Sequence, residues 1–246
     1  MFRHHGKTRT LSHNLKIASL LSFVAGIVNV AGFLAVKQLT TNVTGHFAFF
    51  VDEVFKLDFG QGFADFHYIF FFFLGSFSSN FLAESIKKNN HYVYAIPISI
   101  ECLILLIIGF WGHIITLQNP NIIAFSLLFA MGMQNSLVTK ISNATVRTTH
   151  LTGLFTDLGI ELSQLFFYKA KEQRAQLIGS VKLRFTIICF FFMGGIFSGV
   201  LYSKIKLHIL IIAAMVLLIG LIYDNLKLRL IHLKRKLKHH EHNRYL

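Results

Sequence analysis

One carboxylate stands inside an otherwise uncharged apolar run: Glu101, nine residues into Tyr92–Ile115. A charge near the middle of a membrane costs about 2.5 kcal/mol or more, so such a group usually has a partner or a task. Proton coupling is one such task. A protonated glutamic acid bonded to a neighbouring helix is the structural alternative. Arg147 begins the phrase Arg147-Thr148-Thr149-His150-Leu151-Thr152-Gly153. Its guanidinium, the hydroxyl of Thr149 and the free N–H groups of a helix start together suit an anionic group. An interfacial arginine that obeys the charge rule is the plainer reading. Asp157 suits a pairing with Arg147, or a cap on a short helix from Thr156 onward.

Amides form the second set. Asn29, Gln134 and Asn135 lie inside apolar runs, where they line a polar cavity or hydrogen-bond helix to helix for about 0.6–2 kcal/mol each. Two of them belong to a phrase that occurs twice. Gly26-x-x-Asn29 precedes Asn42-Val43-Thr44-Gly45, and Gly132-x-x-Asn135 precedes His150-Leu151-Thr152-Gly153. The offsets are 106 residues for the Gly/Asn pair and 108 for Thr-Gly. A Gly/Ser-rich stretch, Leu74–Ser79 and Met193–Ser198, recurs at 119. Such order-preserving drift indicates a duplication with small insertions.

Several chemistries find no footing. The chain has no Gly-Lys-Ser/Thr phosphate loop, Gly-x-Ser-x-Gly elbow or His-Glu-x-x-His motif, so neither a nucleotide-driven motor nor a common hydrolase is expected within it. Cys102 and Cys189 both sit in apolar runs and read as small buried hydrophobes. Of the 13 histidines, seven (His4, His5, His13, His232, His239, His240, His242) lie in basic tails, and His46 and His150 flank the two Thr-Gly pairs. No metal and no cofactor is expected.

The elements that must hold these residues follow from composition. Hydrophobic residues make up 54% of the 246, 27 are phenylalanine and only 14% are charged. Soluble domains carry roughly a quarter charged residues. Six stretches are nearly free of charge: Ile17–Val36, Phe66–Ala83, Tyr92–Ile115, Ile122–Thr139, Phe185–Ser203 and Leu207–Tyr223. Each is long enough, at about 1.5 Å per residue, to cross a hydrocarbon core of roughly 30 Å. The first is too long for a signal-peptide core and is read as a retained helix.

The formal charge of +13 is unevenly placed. Twenty Lys/Arg fall on the side of the two tails, the turn at Lys87-Lys88 and the 140–184 connection, against four (Lys37, Lys56, Lys204, Lys206) on the other. The positive-inside rule then places both termini in the cytoplasm. The basic tails are expected to meet anionic lipid head groups, and nucleic acid is not an expected partner.

The resulting organisation is a basic tail (1–16), a first three-helix repeat (17–116), a second (117–225) and a basic C-terminal tail (226–246). Three spans per repeat is an odd number, so the two repeats enter from opposite faces. Pro120 fits the first turn of the fourth span. The acid-rich connection Lys37–Asp65 and the base-rich one Lys140–Arg184 both hold short apolar segments punctuated by Thr-Gly. Such segments at matching places mark the binding region of many secondary transporters, and the expectation is that each breaks a helix or re-enters the membrane. Interfacial amphipathic helices are the alternative. Gly75 with Ser79, and Gly195 with Gly199, are spaced for close helix packing. The second and fifth spans are therefore expected to cross each other, with a homodimer face as the rival use.

The phrases Gly132-Met133-Gln134-Asn135 and Arg147–Gly153 with Asp157, together with Asn29-Val30-Ala31-Gly32-Phe33 and Thr44-Gly45, resemble the YoaK-like family of bacterial membrane proteins. The resemblance extends over roughly Leu11–Leu226. It implies a multi-span protein of the bacterial cytoplasmic membrane and no defined activity. One departure is His46, where the family phrase continues with asparagine.

The expected fold is thus all-α and integral to the membrane, with six transmembrane helices as two inverted three-helix repeats. The expected function is a small secondary transporter or channel for a small solute or ion, not an enzyme, with its site between the halves near Asn29, Thr44, Asn135 and Thr152. A non-catalytic membrane partner and a lipid-modifying enzyme are the alternatives.

Overall fold

The computed structural model describes residues 10–86 and 94–242, the side chains of Asn225 and of residues 227–242 excepted. Every regular element among them is helical. The turn expected at Lys87–His91 and most of the N-terminal tail lie outside the described residues.

Helix α1 (Leu11–Val36) stops where Lys37 turns left-handed, with φ 56°. The short α2 (Val43–Phe55) follows, capped by Asn42, whose side chain accepts from the Gly45 N–H. Asp58 caps α3 (Phe59–Ser85) in the same way. Then come α4 (Ala95–Gln118) and α5 (Pro120–Ser142), the latter with Pro120 in its first turn as expected. The remaining elements are α6 (Leu151–Phe167), the 35-residue α7 (Lys171–Ile205), a 3-10 turn at Lys206–His208, and α8 (Ile209–His242).

Among the described residues, five runs are long and apolar enough to cross a membrane: Leu11–Val36, Phe59–Ser85, Ala95–Gln118, Pro120–Ser142 and Lys171–Asp224. The last has 54 residues and holds two limbs, because Lys206 leaves helical geometry with φ 48°. The limbs point in opposite directions. Along α7, Gly179 lies beside Leu11 and Gly199 beside Val30, so α7 runs parallel to α1. Along α8, Leu207 packs on Gly112, Ile211 on Gly109, and the Cys102 thiol meets the Ala214 carbonyl, so α8 runs antiparallel to α4.

The centre of the molecule is the pair α1 and α5. In each, 61% of the apolar window is buried, against 22% for α3. They cross antiparallel: Gln134 meets Leu21, and Gly32 lies beside Leu127. Around them the packing is exchanged between the halves of the chain. Helix α1 packs chiefly on α7, and α3 chiefly on α5. This corrects the expectation that the second and fifth spans cross each other.

The two interfaces have the same construction. A Cβ at Gly26 would lie 2.1 Å from the Phe191 carbonyl oxygen, and one at Gly194 would lie 2.1 Å from that of Phe23. A Cβ at Gly132 would lie 2.1 Å from the Phe72 oxygen, and one at Gly75 would lie 2.0 Å from that of Phe129. Gly26 and Gly132 are separated by the offset of the first phrase, Gly75 and Gly194 by that of the third. Only glycine allows backbones this close. Serines add hydrogen bonds across the same seams: Ser76 donates to the Gly132 carbonyl at 3.0 Å and Ser198 to that of Ile27 at 3.1 Å. Ser79 is buried without a partner. On α7 the tightest residue is Gly194; Gly195 and Gly199 make looser contacts with Val30.

The outward face of α3 is a ladder of exposed phenylalanines (Phe63, Phe66, Phe70, Phe73, Phe77 and Phe81). A continuous apolar face of this size is foreign to a protein in water and ordinary for one in lipid. The composition, the long apolar helices and this outward face identify a multi-pass membrane protein.

Candidate functional site

The duplicated amides each hold down the stretch of chain that follows their own helix. Asn29, near the end of α1, accepts a hydrogen bond from the Thr41 hydroxyl at 2.7 Å, while buried Thr40 donates to the Val28 carbonyl at 3.2 Å. Asn135, near the end of α5, accepts from Thr149 at 3.0 Å and from Thr148 at 3.4 Å. Gln134 extends this second clasp by donating to Thr148 Oγ1 and to the Leu21 carbonyl on α1. Its own carbonyl oxygen is buried and unpartnered. Each clasp turns the chain sharply after a long helix and sets the start of a short one. Because α1 and α5 are antiparallel, the clasps lie toward opposite ends of the molecule. Asn29 and Asn135 therefore do not meet.

The Thr-Gly pairs do not interrupt helices, which corrects the expectation of broken segments. Thr44 and Gly45 lie in the first turn of α2, and Thr152 and Gly153 in the first turn of α6. Asn42 caps its own helix, whereas His150 makes no side-chain cap and its ring fills the space beside Gly153. Thr44 and Thr152 are exposed. At 13 residues, α2 spans about 20 Å, short of a hydrocarbon core. Each short helix buries one residue only, the fourth in each case: His46 in α2 and Leu154 in α6.

Beside α6 lies a cavity of about 340 Å3 lined by Arg147, His150, Gly153, Asp157, Ser180 and Arg184 among others. Arg147 and Asp157 share this cavity without pairing. Asp157 bonds instead to Arg184 of α7 at 3.1 Å, and Arg184 also reaches Glu161 at 2.8 Å and Ser180 at 2.6 Å. Nor does Asp157 cap a helix, since α6 begins six residues earlier. The fork of Arg184 across two carboxylates one turn apart fixes α6 to α7. The readable sign was the Asp157/Glu161 spacing, which puts both acids on one helical face.

The corresponding place beside α2 holds a buried histidine and a buried acid. His46 is fully buried, its Nε2 2.6 Å from the Leu39 carbonyl oxygen and its Nδ1 3.7 Å from Asp65 Oδ1 on α3. Burial holds the imidazole below its ordinary pKa, against the opposing influences of the Leu39 carbonyl and Asp65. The Tyr68 ring lies 4.7 Å from the imidazole, and its hydroxyl donates to Asn121 of α5 at 2.6 Å. Asp65 and Tyr68 were not singled out by sequence, because Asp65 reads there as loop charge.

Glu101 occupies the buried face of α4 with Ile98, Cys102 and Leu105. It is fully buried and neither carboxyl oxygen has a partner. Such a group is tolerated only when protonated.

Residues 17–223 match the model of a family described as a protein of unknown function, DUF1275, and the chain belongs to that family. This agrees with the resemblance carried by the two Asn/Thr-Gly phrases. No curated protein and no solved structure matches the chain.

Proposed function

We propose that the chain crosses the bacterial cytoplasmic membrane six times, as two three-helix units of opposite orientation, and acts as a small secondary transporter or channel. On this reading α7 and α8 are separate crossings and both termini face the cytoplasm, the side richer in Lys and Arg. The observation that carries the proposal is the exchanged helix packing. Each half gives its leading helix to the other, through equivalent glycines that press on equivalent phenylalanine carbonyls. Two units joined in this way can rock against each other about the crossing of α1 and α5, as inverted-repeat transporters do. Buried polar groups without partners, Glu101 and the Gln134 oxygen, lie within these elements. Each such group calls for an explanation, and a path for a solute or ion supplies one.

Labelling tests the proposal. Asn29→Cys and Asn135→Cys are made singly in a chain whose Cys102 and Cys189 are alanine, and an impermeant thiol reagent is applied to each side of sealed vesicles. Transport by alternating exposure requires each half-buried site to react from both sides. Reaction of each from its nearer side alone would remove the transporter reading and favour a non-catalytic partner protein.

A further inference from the structure

At equivalent positions, 108 residues apart, the two short helices are anchored by different chemistry. In α6 the buried position is filled by apolar Leu154, and the polar anchor is the Arg184 fork elsewhere on the helix. In α2 the buried position is itself polar, His46.

The hydrogen-bond roles around His46 are forced. The Leu39 carbonyl oxygen only accepts, so the Nε2 atom 2.6 Å away carries a hydrogen. In the neutral ring this leaves Nδ1 as a bare acceptor. Nδ1 is buried without a hydrogen-bond partner, and the nearest group it faces is Asp65 Oδ1 at 3.7 Å. An ionised Asp65 would set an anion against a lone pair, with both side chains at most 5% exposed. Such a pair is strongly unfavourable away from water. One proton on the carboxyl removes the conflict; the two atoms stand about 1 Å beyond hydrogen-bond distance, so the Asp65 O–H donates to Nδ1 once the side chains close that gap. Among the described residues no third His, Cys, Asp or Glu completes a metal site here.

We propose that His46 and Asp65 form a single-proton binding site that latches α2 onto α3, and that this proton is the coupling ion of the transporter. The second part rests on the transporter reading; the first stands on the geometry alone. Loss of the proton leaves the carboxylate facing the Nδ1 lone pair and releases α2. Leu39 passes this change to the Asn29 clasp, because it directly precedes Thr40 and Thr41. The charged and titratable neighbours are few. Glu53 on α2 acts on Asp65 electrostatically and pairs with Lys56, Tyr68 on α3 donates to Asn121, and α5 presents that neutral amide. The equivalent site in the other half, 119 residues after Asp65, holds Arg184 in its fixed ion pairs. At this pair of equivalent positions, only the first half carries a proton site.

The test is the rate of amide hydrogen exchange across Val43–Phe55 in the full chain, divided by the rate of an unstructured chain at the same pH. In an otherwise unaltered chain the ratio should rise on the order of tenfold per pH unit as the latch opens, as loss of one proton requires. Asp65→Asn keeps an N–H donor toward Nδ1 that cannot be lost, and should hold the ratio low and flat over the same range. Nitrogen NMR of the unsubstituted imidazole provides a second reading: Nε2 protonated and Nδ1 hydrogen-bonded near neutral pH. A flat ratio in the unaltered chain, an identical rise in Asp65→Asn, or an Nδ1 without a donor would each overturn the latch. None of these outcomes bears on two-sided labelling of Asn29→Cys, so the transporter reading fails or stands separately.

Discussion

Gly26 and Phe191 are in backbone contact: a methyl group on the glycine would lie 2.1 Å from the phenylalanine carbonyl oxygen. The seam between α1 and α7 cannot open there without separating two long helices. Gly26→Ala should therefore destabilise the protein by about 1–3 kcal/mol, the usual range for overpacking. Gly132→Ala should cost a similar amount at the α3–α5 seam. Gly159→Ala, on an open face of α6 with nothing within 4 Å, should be neutral or slightly stabilising. Thermal unfolding in detergent reads all three, and equal behaviour of Gly26→Ala and Gly159→Ala would contradict the seam.

The two amide clasps should differ in strength. Asn29→Ala strands one threonine hydroxyl, a loss of about 1 kcal/mol. Asn135→Ala breaks a chain that runs from Gln134 through Thr148, with Thr149 joining at the same oxygen, and should cost more. Hydrogen exchange should locate the damage in residues 37–45 for the first variant and 143–153 for the second.

Arg184→Gln should free α6. Two carboxylates lose their shared counter-charge, and Asp157 and Glu161 then repel each other along one helical face. Arg184→Lys should rescue poorly, because a single ammonium cannot reproduce the fork. Exchange rates across Leu151–Phe167 should rise in both variants, and rates in α1 should stay put.

Acidification should loosen α2 independently of its release by proton loss. Burial lowers the pKa of His46 in the folded protein, so the folded state resists a proton that the unfolded chain accepts at about 6.5. The stability from keeping this ring neutral is complete above that value and is lost as the pH falls through the depressed folded pKa. Exchange from Val43–Phe55 should quicken below about pH 6.5. His46→Gln should abolish that acid limb.

Glu101→Met should raise the unfolding temperature, because an unpartnered buried carboxyl is exchanged for an apolar side chain of similar size. Glu101→Gln should fall between the two. A lower melting temperature for Glu101→Met would mean that the carboxyl makes a stabilising bond in the folded protein.

Much of this architecture could be read from residue order, and the failures have physical causes. Apolar runs report where lipid begins and ends, which is a different boundary from the end of a helix. Helix α7 therefore starts at Lys171, fourteen residues before the apolar run at Phe185, and α8 continues past Tyr223 to His242. The Asn/Thr pairs were visible because they recur, yet recurrence did not reveal that each closes on its own half. Thr-Gly suggested a break because glycine weakens helices; a first turn tolerates it easily. The exchange of α3 and α7 between halves was hidden for a different reason. Gly75 and Gly194 advertise close packing without naming the surface that fills them.

The parallel pairing of α1 with α7 has a consequence for synthesis. When α1 leaves the ribosome, the surface around Gly26 has no partner, and it stays bare until residues beyond Gly194 have been made. A nascent chain halted after α4 would carry an unfilled glycine notch, a substrate for quality-control proteases. The joint between α4 and α5 is the single residue Asn119, and no packing seam depends on its covalent continuity. Two separately translated fragments, divided at that residue, should therefore assemble into the native protein, whereas neither should persist when made alone.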